Sequence, residues 1–260
     1  MEIKLRPKNI VVVGGATGIG YATAQKLLEC GAEHVVLASR NKDKLAAAAA
    51  ALNTDGSQRV AVVPFDIAQV SQHQQLIKDA ADAIGVMPDG LVISSGVTFD
   101  GTNWKGFNIS EADWDRVMNI NLKGVFFLLR TFANHLYENK IKGNICVVSS
   151  ISAHRDMLTV YQMSKSVISG VVHAYGKHLV ERGVVLNCVE PGSTNTDMMR
   201  WLHEYTDGVR PGKVWNDNSI RRLIRPEEIA DVILFLMAEG SEIMSGTCLL
   251  AGGGCKSIAR

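Results

Sequence analysis

The chain has 260 residues, 47% of them hydrophobic, with 27 Lys and Arg against 26 Asp and Glu. That length and apolar fraction suit a large buried core, and the near-neutral charge gives no electrostatic reason to expect nucleic acid or an anionic membrane surface as a partner. No run approaches the ~20 apolar residues that span a bilayer, MEIKLRPKN lacks a signal-like apolar stretch, and five cysteines form no C-x-x-C pair, so free thiols and a cytoplasmic location are expected.

The first apolar run, NIVVV from Asn9, leads into Gly14, Gly15, Gly18 and Gly20 within seven positions. Glycine turns sharply and lets other atoms approach the backbone, so such a cluster between strand and helix suggests a ligand. The free N–H groups and positive dipole of a helix N-terminus suit a phosphate there. A triphosphate P-loop is excluded, because Gly20 is followed by Tyr21 and Ala22 and not by Lys and Ser or Thr. On the glycines alone, a tight connection holding nothing explains the pattern equally well.

Further along, HVVLA, VAVVPF, GLVIS, NICVVS, VVLNCV and TCLLA read as six more strands. Between them lie helical segments: IGYATAQKLLECG, NKDKLAAAAAALN, SQHQQLIKDAADAIG with Ser71 as N-cap, and two longer ones. The first long helix starts at Ser110, where S-E-A-D resembles a capping box with Asp for Glu, and runs to about Asn139. The second spans about Thr159 to Glu181. Apolar strands alternating with helices predict an α/β fold: a doubly wound, seven-stranded parallel sheet with helices on both faces, the Rossmann fold, as one domain over residues 1–260. Ligands bind such sheets beyond the carboxyl ends of the strands. The irregular stretch at about 193–225, with Trp201, Tyr205 and Trp215, is expected to form a substrate lid. Cys146 and Cys188 fall in apolar runs and are expected to pack as small hydrophobes.

Tyr161 and Lys165, in Y-Q-M-S-K, project from one helix face at i and i+4. With G-G-A-T-G-I-G, Asn121 in N-I-N-L-K-G, Ser149 and Ser150 in V-V-S-S-I-S, and Pro191-Gly192 in N-C-V-E-P-G, the sequence resembles the short-chain dehydrogenase/reductase family from Asn9 to Gly254. The resemblance implies hydride transfer between a nicotinamide dinucleotide and an alcohol or carbonyl carbon. Tyr161 would be the general acid in reduction and the general base in oxidation, Lys165 would supply positive charge to the phenol and hold the nicotinamide ribose, and Ser150 would donate to the substrate oxygen. Asn121 would anchor a water relaying protons from Lys165. Cofactor positions carried over in the same way are Gly14, Gly15, Thr17, Gly18, Ile19, Gly20, Ser39, Arg40, Asp66, Ile67, Ser94, Ser95, Gly96, Tyr161, Lys165, Pro191, Gly192, Thr194 and Thr196, with Asp66 and Ile67 bracketing the adenine. No metal is implied. Relatives of this size imply a homotetramer.

The second strand ends in A-S-R-N, with no carboxylate for the adenosine ribose and with Arg40 able to pair with a 2′-phosphate. This predicts NADP(H), with NAD(H) as the alternative; Thr17 weakens the case, since many NADP-preferring relatives carry a basic residue there. Val13 stands where relatives have Thr, Ser94 where they have Asn, and the Ser150–Tyr161 interval is short, leaving open whether Ser149, Ser150 or Ser152 faces the substrate. Bulky apolar residues in the expected pocket, Phe99, Trp104, Phe107, Met157, Met198, Met199 and Trp201, suit a hydrophobic ketone or alcohol such as a hydroxysteroid. His154 and Arg155 would equally suit a carboxylate or the carrier arm of a 3-oxoacyl-carrier-protein reductase substrate, and a sugar or polyol stays open. The alternative of another class is a dinucleotide-binding sensor without turnover, which would have no need of the Asn, Ser, Tyr and Lys set.

Overall fold

The computed structural model describes residues 3–54, 56–98, 109–155, 159–199 and 218–255. Seven strands, β1 (Asn9–Val13), β2 (His34–Ser39), β3 (Val60–Pro64), β4 (Gly90–Ile93), β5 (Gly143–Val148), β6 (Val184–Pro191) and β7 (Cys248–Ala251), form one sheet in the order β3-β2-β1-β4-β5-β6-β7. Every pairing is parallel. The central strands are buried along their whole length because helices cover both faces, which is why they read as continuous apolar runs and not as alternating ones.

One face carries α1 (Gly18–Glu29), α2 (Lys42–Leu52) and α7 (Pro226–Leu236), which pack Leu27, Leu45 and Ile233 against Val12, Val35 and Leu37. The other carries α3 (His73–Ile84), α5 (Val125–Glu138) and α6 (Val160–Leu179), with Leu76, Phe132 and Ile168 against Val11, Leu91 and Leu186. Cys146 and Cys188 are buried in these cores as free thiols, and burial pushes the Cys146 thiol up to about 12.

Four local features refine the sequence reading. Ser71 is not an N-cap: a 3₁₀ turn, Val70–Gln72, precedes α3, whose cap position is Gln72 with no side-chain bond. His73 instead anchors the start of α3 by its contact with the Ile67 carbonyl, 2.9 Å. Ser110 does cap α4 (Glu111–Met118), accepting from Asp113 N–H at 3.1 Å, but the shorter Asp113 carboxylate meets the Ser110 hydroxyl at 2.8 Å. The long helix from Ser110 is interrupted at Asn119–Gly124 by a π turn, after which α5 resumes. At Thr159 the capping box is complete, with Gln162 reaching back to the Thr159 N–H at 3.0 Å.

Of the long irregular stretch, residues 200–217 lie outside the described residues, as do Phe99, Trp104, Phe107 and Met157. Its two ends are pinned together by a parallel bridge between Thr194 and Ile224, with Asn195 N–H donating to Ile224 O and Ile224 N–H to Ser193 O, both at 2.9 Å.

Candidate active site

The glycine cluster connects the end of β1 to α1 at the carboxyl edge of the sheet. Gly14 has φ +83°, and a Cβ there would lie 2.8 Å from Ser95 N, so only glycine lets this loop cross the end of β4 so closely. Gly14 N–H donates to Ala38 O at 2.8 Å, tying the loop to β2 as well. A side chain at Gly20 would collide with the Gly14 carbonyl, and the absence of one lets α1 begin hard against the turn. Thr17, the cap residue of α1, makes no capping bond through its side chain, which leaves the N–H groups of the first turn for a ligand. A cavity of about 350 Å³ opens here, lined by Thr17, Gly18, Tyr21, Thr196 and the start of α7. Thr196 closes over Gly18, its Cγ2 standing 3.1 Å from where a Cβ would be.

At the end of β2, the Ser39 hydroxyl is buried without a hydrogen-bond partner, and Arg40 is exposed with no ion pair among the described residues. Asp66 accepts from Ala68 N–H at 3.0 Å and so shapes the turn after β3, while the Ile67 side chain packs into the core. Ser94 N–H donates to Val13 O at 2.8 Å, so the joint between β1 and β4 is made by backbone, and no bond of the Ser94 hydroxyl occurs among the described residues. Beyond β6, Gly192 N–H donates to Ala251 O at 3.0 Å and the buried Thr194 hydroxyl to Gly192 O at 2.9 Å.

Asn121, Ser150, Tyr161 and Lys165 come from the π turn, the end of β5 and α6. Asn121 is 0% exposed; its Oδ1 accepts from Val97 N–H at 2.9 Å, and its Nδ2 donates to Val97 O at 2.8 Å and to Ser164 Oγ at 3.4 Å. The side chain thus staples the strand leaving Gly96, and the second lone pair of Oδ1 is left for one more donor. Around Gly96, a Cβ would find Asn121 Oδ1 and Lys165 Nζ each at 3.6 Å and Met198 Cε at 3.9 Å, so the missing side chain leaves a small space bounded by the amide and the ammonium.

Lys165 is 5% exposed, donates to Val148 O at 3.0 Å and lies 5.8 Å from the centre of the Tyr161 ring. Burial pushes its ammonium down to about 8. Burial likewise raises the half-buried Tyr161 phenol, against a hydrogen bond with Ser150 that draws it down. Ser150 is therefore the serine beside Tyr161. Ser149 points inward, donating to Lys165 O at 3.2 Å, and Ser152 offers its backbone N–H to Ser150 Oγ at 3.1 Å.

Glu190 was not legible as a site residue. It is 0% exposed, accepts from the Ser169 hydroxyl at 2.7 Å and meets His154 Nε2 at 2.5 Å. Only the oddity of a carboxylate in the mostly apolar VVLNCVEP signals it.

The cradle, the buried Ser39 hydroxyl and the space at Gly96 fit an elongated polar ligand laid across the carboxyl edge of β1, β2 and β4, as a dinucleotide is. Residues 8–206 match the family model for short chain dehydrogenase, and the chain belongs to the short-chain dehydrogenase/reductase family. Its members are oxidoreductases that bind a nicotinamide dinucleotide and act on alcohol or keto groups. Acetoacetyl-CoA reductase from Synechocystis sp. is 31% identical over 97% of this chain and 98% of its own. The BbsD subunit of a hydroxy(phenyl)methylsuccinyl-CoA dehydrogenase from Thauera aromatica is 30% identical over 94% of each chain. The fold is shared with a putative gluconate dehydrogenase from Agrobacterium tumefaciens, with a TM-score of 0.88 and 23% identity over the full length of both.

Proposed function

We propose that this protein is an NADP(H)-dependent oxidoreductase that interconverts a ketone and a secondary alcohol. The observation that carries this reading is the meeting of Asn121 Oδ1 and Lys165 Nζ at Gly96, with the Tyr161 ring 5.8 Å from that ammonium, at the carboxyl edge. When bound, the dinucleotide supplies or accepts the hydride.

The chain's own part is the proton and the oxyanion. Ser150 and Tyr161 would both face the substrate oxygen. Because burial keeps Tyr161 in its phenol form, the hydroxyl is charged with the proton that reduction of a ketone consumes. Lys165 then restores the phenol's proton balance from the space at Gly96, where the open lone pair of Asn121 Oδ1 offers a water its anchor.

NADP(H) over NAD(H) is supported by Arg40, whose guanidinium is exposed with no ion pair among the described residues, next to the orphaned Ser39 hydroxyl where a ribose-binding carboxylate would otherwise stand. For the substrate, the apolar residues read from the sequence favour a medium or large hydrophobic ketone such as a steroid. A second reading, a 3-oxoacyl thioester, is favoured by the two relatives whose names carry CoA thioesters.

The test is titration with NADPH and with NADH, followed by absorbance decay against steroid ketones and acetoacetyl-CoA. Tighter binding of NADPH and decay with at least one ketone are expected. Tyr161→Phe should lower turnover at least 100-fold and leave NADPH binding intact; unchanged turnover would remove Tyr161 from its role, and cofactor binding without turnover on any ketone would favour a sensor.

A further inference from the structure

Two of the five cysteines, Cys188 and Cys248, stand side by side, paired in register across β6 and β7. Glu190 follows Cys188 by two positions on β6 and so points to the same face of the sheet. Cys188 Sγ, Cys248 Sγ and a Glu190 carboxylate oxygen all lie within 4.8 Å of one another. Cys146, by contrast, pairs with Asn187 and belongs to the core on the opposite face.

Two sulfurs and an oxygen at that spacing form a ligand set for a metal ion. A point among three atoms no more than 4.8 Å apart can lie within about 2.8 Å of each, while zinc binds sulfur at about 2.3 Å and carboxylate oxygen at about 2.0–2.2 Å. Side-chain movements of under about 1 Å therefore close the site. The chain also supplies the outer contacts that a ligating carboxylate needs. Ser169 Oγ is 2.7 Å from Glu190 Oε1 and His154 Nε2 is 2.5 Å from Oε2, each leaving a second lone pair on its oxygen. A neutral imidazole with its proton on Nε2 suffices for that contact. Charge favours a cation as well. Glu190 is 0% exposed and meets no Lys or Arg among the described residues. Thiols bind zinc as thiolates, so a dication displaces one proton from each cysteine and leaves the total charge of this buried cluster as it was.

We propose that Cys188, Glu190 and Cys248 form a zinc site that fastens β7 to β6, with water completing the tetrahedron. Paired thiolates select a soft or borderline ion, and the carboxylate favours zinc over copper(I). Magnesium and calcium, which take oxygen ligands throughout, do not suit it. β7 is a four-residue strand at the edge of the sheet, and Cys248 on it is half-buried, which gives the ion its way in. The ion braces the two strands just before Gly192, whose N–H donates to Ala251 O at 3.0 Å. The site makes no use of the ketone-reductase reading and stands or falls separately from it.

The test uses the full chain, stripped with EDTA and kept reduced with a phosphine, titrated with Zn²⁺ against a chromophoric chelator and with Co²⁺ by absorbance. One Zn²⁺ per chain is expected at micromolar concentration, with a thiolate-to-cobalt charge-transfer band in the near ultraviolet and a melting temperature that rises with added Zn²⁺. Cys248→Ala should weaken Zn²⁺ binding by more than about 100-fold, beyond the loss that a change in the outer contacts causes, and abolish the band. Cys188→Ala should do the same, and Cys248→Ala decides alone if that buried variant fails to fold. Cys30→Ala should bind as the unaltered protein does. No Zn²⁺ binding at micromolar concentration, binding unchanged in Cys248→Ala, or Co²⁺ bound without the band would overturn the proposal.

Discussion

Lys165 occupies a position that opposes its own charge. Its ordinary value of 10.5 falls to about 8 because the ammonium is buried, so between those two pH values the unfolded chain holds a proton that the folded chain lacks. Stability therefore rises as pH goes from 8 to 10.5, and below 8 the full cost of burying the charge is present, roughly 3 kcal/mol at ~1.4 per pH unit. Lys165→Met removes that cost and leaves the Val148 carbonyl without its donor, about 1–3 kcal/mol. The variant should melt at or above the temperature of the unaltered protein at pH 7 while turnover falls at least 100-fold; a melting temperature lower by more than 5 °C would show that the lysine is a structural group. Tyr161 and Lys165 were legible in the sequence because i and i+4 spacing fixes a shared face wherever the helix lies. The contacts of Glu190 with His154 and Ser169 were not, since they form only through the pairing of distant elements.

At the scale of elements, α7 shows how a helix terminus is built into the site. Glu228, in its first turn, accepts from Arg225 N–H at 2.8 Å and from the Arg222 guanidinium at 2.6 and 2.7 Å. The Arg222 hydrogen bonds foremost, with the backbone N–H, hold its carboxyl down at about 2, against an ordinary 4.5. A depressed carboxylate contributes above its unfolded value and loses that contribution as pH falls from 4.5 to 2. Glu228→Gln should lower the melting temperature by a few degrees at pH 7, and the difference should vanish by pH 2; a gap that persists there would point to packing in place of charge. The same helix start, through Pro226 and Glu227, walls the cavity at the glycine loop. Sequence patterning found both long helices and all seven strands, since apolar runs and caps are local signals, but it did not read the short helix α7. It missed the π turn at Asn119–Gly124, where the pattern of apolar residues continues while the ladder beneath it shifts by one residue.

For the molecule as a whole, several large apolar side chains among the described residues are exposed. Tyr137, Val167 and Tyr175 lie on α5 and α6, and Phe235, Ile243 and Leu250 lie on α7, the 3₁₀ turn after it, and β7. Exposed apolar side chains on elements of this kind can be covered by further copies of the chain in closed two-fold assemblies. Light scattering at micromolar concentration is therefore expected to give four times the chain mass, and a monomer would contradict this.

The strand order has a consequence during synthesis. In the finished sheet β1 is central, with β2 on one side and β4 on the other, and the glycine loop is closed by contacts with Ser94 and Ser95. On the ribosome, β4 follows β1 by ~80 residues, which at 5–20 residues per second is roughly 4 to 16 seconds. For that interval NIVVV, a strand without a charge, has an open edge, and the cradle lacks one wall. A nucleotide can thus stabilise the nascent chain only after Ser95 has emerged.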